Sequence, residues 1–312
     1  MPRSSPSGTA IALTIGGSDS GGGAGIQADL KTFTVLGVHG CSAISCVTAQ
    51  NTRGVNQVDA LPPQALTAQI EAVVSDLKLG ALKTGMLLNR ALIEATAAAI
   101  APLPIPKLID PVMVSRAGAV LLEAGAIEAY RRCLLPQAEL LTPNLHEARL
   151  LTGLPIASAA DVERAAQRLL EAGGDRAGEA AAAGGAGLAA GAIAGGGGVS
   201  ESWGGGGLSE GWGGPGPLAV LIKGGGLAEL RGRDYLLTRQ GSGRWLSHAP
   251  VDTPHTHGSG CTLGAAITAG RARGLTLESA VVEAKLFVEG ALRQALAIGG
   301  GQGPLCHWHR WG

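Results

Sequence analysis

The sequence predicts an α/β protein with a mostly parallel central sheet and helices on both faces, a three-layer αβα arrangement. Three observations predict it. Short, β-branched apolar runs alternate with helical stretches from residue 10 to residue 222, as strands do when they cross over through helices. Glycine and polar residues collect where those runs end, and open α/β sheets bind ligands at that edge. Aliphatic residues and alanine are plentiful while aromatics make up only 3% of the chain, which suits helices packed on buried strands.

The first strand is Ala10–Ile15, short and apolar. A glycine-rich loop, Gly16 to Gly25, follows it, and a helical pattern runs from Ile26 to Leu36. The loop lacks the glycine spacing of a dinucleotide fingerprint and the terminal Gly-Lys-Ser/Thr of a P-loop. Cys41–Thr48 is a second strand, ended by Gln50-Asn51-Thr52-Arg53-Gly54. Pro62–Lys78 is helical, with Leu66, Ile70, Val73, Val74 and Leu77 on one face. Ala81–Met86 is a short strand, Leu92–Ile100 a helix, and Pro106–Ile109 a strand leading into Asp110-Pro111-Val112-Met113. Leu140-Leu141 runs into Thr142-Pro143-Asn144-Leu145-His146-Glu147, a strand end and a helix start, with another helix over Asp161–Ala172. Leu218–Ile222 is a strand ending at Lys223-Gly224-Gly225, and Asp234–Trp245 is expected to form an antiparallel hairpin.

Residues 173–217 break this order. They hold 19 of the chain's 51 glycines, with alanine much of the rest, so too little apolar surface is available to offset the entropy of ordering. The expected organisation is a flexible N-terminus over 1–10 and one domain over 11–312, interrupted by a disordered Gly/Ala-rich insertion at 173–217. Trp203 and Trp212 fall in that insertion.

Composition excludes several classes of function. The 24 basic and 24 acidic side chains balance, so nothing suggests an electrostatic grip on nucleic acid or on an anionic membrane. Apolar runs are too short to span a bilayer. Cys41, Cys46, Cys133, Cys261 and Cys306 are odd in number with no Cys-x-x-Cys pair, which fits a reducing compartment. Residues 1–10 are too short for a secretory signal. A cytoplasmic protein is expected.

The stretch richest in chemistry is His255-Thr256-His257-Gly258-Ser259-Gly260-Cys261-Thr262, followed at once by helix formers. Small residues let backbone N–H groups converge, and a helix start adds unpaired donors and a positive dipole end. Together they suit an anion, above all a phosphate. The same field is expected to favour the Cys261 thiolate. A plain turn and helix cap would look similar.

Seven stretches in order resemble the hydroxymethylpyrimidine/phosphomethylpyrimidine kinases of thiamine synthesis, in the ribokinase-like superfamily. They are Thr14–Asp19 through Gly25–Phe33, Thr48–Gly54, Lys83–Met86, Asp110–Met113, Thr142–Ala148, Val220–Gly225 and Thr256–Leu263. The tail from Gly303 to His309 is also similar to that family's terminus. The resemblance implies a ribokinase-like fold and two ATP-dependent steps, on the hydroxymethylpyrimidine and then on its monophosphate.

It also implies roles. Gly258, Ser259, Gly260 and Cys261 would be catalytic, the amides holding the moving phosphoryl group and Cys261 taking or orienting the hydroxyl proton. Gln50 and Asp29 would read the aminopyrimidine edge, Gly17 would allow close approach, and Met86 and Val112 would wall the ring. Lys223, Asn144 and Thr262 would meet the nucleotide, and Glu147 with Asp110 would hold Mg²⁺, partly through water. Asn144 and Glu147 also read as a capping box. Lys285 is a helix lysine without an assigned role. His307-x-His309 offers two metal ligands with no third in view, which favours a packed tail.

The implied partners are the pyrimidine, ATP and a second copy of the chain as a homodimer. Ser259 stands where relatives commonly have Thr, and Gly226 where a His is frequent. Two alternatives remain: a pyridoxal or vitamin B6 kinase of the same superfamily, and a non-catalytic pyrimidine-binding regulatory protein.

Overall fold

A computed structural model describes residues 8–113, 125–171, 217–241 and 243–311. The first half contains β1 (Ile11–Asp19), α1 (Gly25–Val35), β2 (His39–Asn51), β3 (Gly54–Ala60), α2 (Pro63–Val74), β4 (Ala81–Thr84), α3 (Arg90–Ile100) and β5 (Lys107–Ile109). Then come α4 (Ala126–Ala129), β6 (Leu140–Leu141), α5 (Leu145–Thr152), α6 (Ala159–Glu171), β7 (Ala219–Lys223), β8 (Arg233–Thr238), β9 (Arg244–Ser247), α7 (Ser259–Ala272) and α8 (Leu277–Arg293). Residues 1–7 of the expected flexible N-terminus, and the expected insertion apart from Pro217, lie outside the described residues.

The strands form one nine-stranded sheet in the order β3-β2-β1-β4-β5-β6-β7-β8-β9. Neighbours from β2 through β7 are parallel. The edges are antiparallel: β3 on β2, then β8 on β7 and β9 on β8. This is the expected mostly parallel sheet, and the hairpin expected from Asp234 to Trp245 is β8–β9, with Arg233 opposite Ser247.

Successive residues of a strand face opposite sides, and here they feed two separate cores. Leu13 and Ile15 of β1, Leu82 of β4, Ile109 of β5, Leu141 of β6 and Val220 of β7 pack with α2 to α6. Leu108, Leu140, Ala219 and Leu221 face α7 and α8 on the other side. Helix α7 is buried from Thr262 to Gly270 without interruption, as befits a helix held between sheet and neighbouring helices.

Two sequence expectations differ from the structure at their ends. Strand β1 runs on through Gly16 and Gly17 to Asp19, with a register shift against β2 between Gly16 and Ser18. The chain after Gln50 does not merely end a strand: it turns at Thr52-Arg53 into β3. Strand β3 has mostly exposed positions, so no apolar alternation marked it.

Candidate active site

The carboxyl ends of the parallel strands, the loop from Asp19 to Ala24 and the start of α7 enclose a cleft of about 780 Å³. Most of the residues expected to act meet there. Gly17 and Asp29 come from the β1–α1 unit, Gln50 from the end of β2, Met86 from beyond β4, and Asp110 and Val112 from beyond β5. Asn144 and Glu147 come from the start of α5, Lys223 from the end of β7, and Gly258 to Cys261 from the start of α7.

Gly258 caps α7 with φ +81°, and a Cβ there would stand 1.8 Å from the carbonyl oxygen of Gly23. Only glycine fits that backbone and that contact. The N–H of Ser259 bonds back to Thr256 O at 3.2 Å, so the anion-binding capacity rests on the donors at Gly258, Gly260 and Cys261. Thr262 is the exception among the expected residues. Its N–H and its hydroxyl both donate to Gly258 O at 2.9 Å, its Oγ1 lies 3.0 Å from His307 Nε2, and it is fully buried outside the cleft. Its bonds tie it to the helix start, away from the cleft. His307 is likewise buried and belongs to the packed tail, where burial draws its imidazole down to about 4.

Two lysine–aspartate ion pairs flank the first turn of α7, one of them fully buried. Lys223 Nζ donates to Asp110 Oδ1 at 2.9 Å, and Thr142 donates to the same oxygen at 3.1 Å. Burial works against the Lys223 charge, but Asp110 and Glu147 outweigh it and hold its proton above the ordinary lysine range. A Cβ on Gly260 would come within 3.4 Å of this ammonium. Lys83 Nζ donates to both oxygens of Asp29, at 2.9 and 2.8 Å, and Thr14 donates to Asp29 Oδ2 at 2.6 Å. Asp29 is therefore engaged at both oxygens by its own chain.

Asn144 and Glu147 form the capping box that the sequence allowed. Asn144 Oδ1 accepts from Glu147 N at 2.9 Å, and Glu147 Oε2 accepts from Asn144 N at 2.7 Å. Burial raises the Glu147 carboxyl to about 7, although Lys223 pulls the other way. Burial acts against the thiolate expected at Cys261. It pushes the thiol up to about 11, with Lys83 opposing the rise and Asp29 and Asp110 adding to it.

Gly17 has a packing role: a Cβ there would meet Met86 Cε at 2.7 Å and Cys46 Sγ at 2.9 Å. Gln50 lies over the cleft mouth, its Nε2 3.2 Å from His257 Nε2, which is 2.9 Å from Asp19 Oδ2. Asp19 also accepts from the N–H groups of Gly21, Gly23 and Ala24, so one carboxylate ties the glycine loop to the segment before α7. His257 and the loop amides hold that carboxyl below its usual range against the effect of burial.

Comparison with known proteins bears directly on this site. The family model described as phosphomethylpyrimidine kinase matches residues 19–177 and 214–306. The chain belongs to the phosphomethylpyrimidine kinase family. A hydroxymethylpyrimidine/phosphomethylpyrimidine kinase of Synechococcus elongatus is 49% identical over 300 residues, covering 96% of this chain and 97% of that one. The Escherichia coli protein of the same name is 39% identical over 303 residues, covering 96% and 98%. Among solved structures, a phosphomethylpyrimidine kinase of Clostridium difficile superposes with TM-score 0.69 at 31% identity, covering 90% of this chain and 99% of that one. A Bacillus subtilis pyridoxal kinase in an ADP complex gives TM-score 0.76 at 30% identity, covering 97% and 99%. The fold is the ribokinase-like one expected, and the family's activity is phosphoryl transfer to hydroxymethylpyrimidine and its monophosphate.

The family motifs contain Asp19, Lys83 and His257 but gave these supports no role. Asp19, Lys83, His257 and the pair Lys285–Asp234 line the cleft as well. Lys83 carried a signal of its own, because a lysine inside the apolar strand Ala81-Leu82-Lys83-Thr84 must find a buried partner.

Proposed function

We propose that this cleft transfers the γ-phosphoryl group of ATP to the hydroxymethyl oxygen of 4-amino-5-hydroxymethyl-2-methylpyrimidine, and then a second phosphoryl group to the resulting monophosphate, in thiamine diphosphate synthesis. The observation that carries it is the meeting of the α7 amides, Lys223 and Cys261 with Gln50 and Met86 around one cleft. In each transfer the acceptor oxygen bonds to phosphorus as the bond to the bridging oxygen of ADP breaks. Such a transfer asks the protein mainly for alignment and for charge stabilisation. The amides of Gly258, Gly260 and Cys261 stabilise the phosphoryl oxygens, and Lys223 adds a point charge. Cys261 orients the hydroxyl in the first transfer, and its thiolate, formed when the thiol releases its proton to solvent, takes the hydroxyl proton.

Gln50 reads the pyrimidine edge with Met86 and Val112 as walls. Asp29, bonded by Lys83 and Thr14, contributes through Lys83. Glu147 and Asp110 are the residues to hold Mg²⁺, with Asn144 fixing Glu147. Among the described residues no group of three or more His, Cys, Asp and Glu side chains forms a cage, which fits an ion completed by nucleotide phosphates and water. When bound, Mg²⁺ neutralises phosphate charge. Among the described residues no helix is long and apolar enough to cross a membrane. The proposal includes a single domain over 11–312 working as a cytoplasmic homodimer, which sedimentation of the full chain and fractionation of the host cell would test.

The test is ATP consumption with the hydroxymethylpyrimidine, followed by product mass. Two successive phosphate additions are expected, with a large loss in Cys261→Ala. An unchanged Cys261→Ala would remove that side chain from the mechanism. Pyridoxal is the second reading, because a Staphylococcus aureus pyridoxal kinase in complex with AMP-PCP and pyridoxal superposes at TM-score 0.76 and 28% identity. Steady-state kinetics with both acceptors separates the two, and a higher kcat/KM for pyridoxal would reverse the assignment.

A further inference from the structure

Lys83 is only 1% exposed, on the face of β4 that looks toward α1 and α7. At neighbouring positions on that side the sheet presents Leu108, Leu140 and Leu221. An apolar residue would fill this place at less cost than an ammonium, since a buried ion pair is poor value for stability alone. The charge therefore calls for a use within the cleft that it lines.

Its placement indicates that use. The Lys83 stem runs under α7 so closely that a Cβ on Gly264 would stand 3.2 Å from Cε and 4.0 Å from Nζ. Gly264 is one turn along α7 from Cys261. Lys223 reaches the same helix from the β7 side, against Gly260. Cys261 thus sits between two lysines, each clamped by its own aspartate: Asp29 from α1 and Asp110 from beyond β5. Lys223 has the nucleotide phosphates to serve, whereas Lys83 is clamped deeper, by both oxygens of its aspartate. Of the charged groups around Cys261, Lys83 opposes the effect of burial on the thiol most strongly, while Asp29 and Asp110 reinforce it and the Gly25 N–H helps to relieve it.

We propose that Lys83, clamped by Asp29 and Thr14, is a positioning residue for Cys261: its ammonium stabilises the thiolate left when the thiol releases its proton to solvent, and that thiolate is the form able to accept the proton of the acceptor hydroxyl. The proposal deepens the role given to Cys261 above and assigns the Asp29 carboxylate to holding Lys83. Charge explains why the strand carries lysine, and the clamp explains why both aspartate oxygens turn inward.

The experiment is alkylation of Cys261 by iodoacetamide in the full chain at pH 8.5, followed on the Cys261 peptide by mass spectrometry, without ATP or pyrimidine. Lys83→Met should slow alkylation about tenfold, the thiolate loss that goes with one pKa unit, and Lys83→Arg should restore most of it. In urea all variants should react alike. The double variant Asp29→Asn/Lys83→Met leaves no unpaired buried charge, so it tests the idea even where Lys83→Met fails to fold, and it too should react more slowly than wild type. Wild-type rates in the folded variants would overturn the proposal, as would a slowing that Lys83→Arg does not relieve. Because no turnover is read, a chain that fails as a pyrimidine kinase can still pass or fail this test independently.

Discussion

The two lysine–aspartate pairs beside α7 look alike and do different things. Lys223–Asp110 stands at the ends of β7 and β5, its lysine 17% exposed and facing the open cleft. Lys83–Asp29 is shut inside the layer between the sheet and α1, at 1% and 2%. The open pair can exchange its partner for a phosphate, while the closed pair can act only through its field on what lies against it. One chemical motif therefore gives a ligand-binding group at a strand end and a tuning group one layer below.

Breaking the open pair should have the largest effect. Lys223→Met is expected to lower kcat/KM about 10²- to 10³-fold, the usual cost of removing one donor to the transferred group, and steady-state kinetics with ATP as the varied substrate would measure it. Breaking the closed pair should be milder and of a different kind. Lys83→Met is expected to reduce kcat about tenfold, matching one pKa unit at the sulfur, while KM for ATP stays near wild type. Equal losses in both parameters for both lysines would erase the distinction.

Glu147 sharpens the comparison through pH. Burial outweighs the pull of Lys223 and raises its folded carboxyl from the ordinary 4.5 to about 7. The folded state thus keeps a proton that the unfolded chain releases, so this group's contribution to stability falls as pH rises from about 4.5 to 7. Glu147→Gln removes that slope, and urea midpoints across this window should decline less with pH than in wild type. The buried His307 contributes with the opposite sign: its folded imidazole titrates near 4, so its stabilisation is present above about 6.5 and is lost as pH falls toward 4. The smallest effect should come from Thr262→Val. It gives up the hydroxyl bond to Gly258 O and the contact with buried His307 Nε2, costing about 1–3 kcal/mol of stability, with no change in KM for ATP. A marked rise in that KM would return Thr262 to the nucleotide site.

The sequence made the parallel core legible because β1, β4, β5, β6 and β7 are buried on both faces and read as apolar runs. It did not reveal β3, whose polar residues Asn56, Gln57 and Asp59 carry no such pattern on an exposed edge. Residues touching the cleft through a motif, such as Asn144, Glu147 and Lys223, could be placed on the chain in advance. The supports could not: Asp19 gathers three loop amides and His257 from 238 residues away, and only folding brings them together. Cys261 shows the same limit, since a helix start is visible in sequence while the burial that raises its thiol is not.

The central claim is that the amides opening α7 grip the phosphoryl group in transfer, and a crystal structure with a non-hydrolysable ATP analogue and the hydroxymethylpyrimidine tests it most directly. The terminal phosphate is expected against the backbone N–H groups of Gly258, Gly260 and Cys261, with Lys223 turned toward it and the acceptor hydroxyl beside the Cys261 sulfur. A triphosphate bound elsewhere, leaving those amides to water, would contradict it.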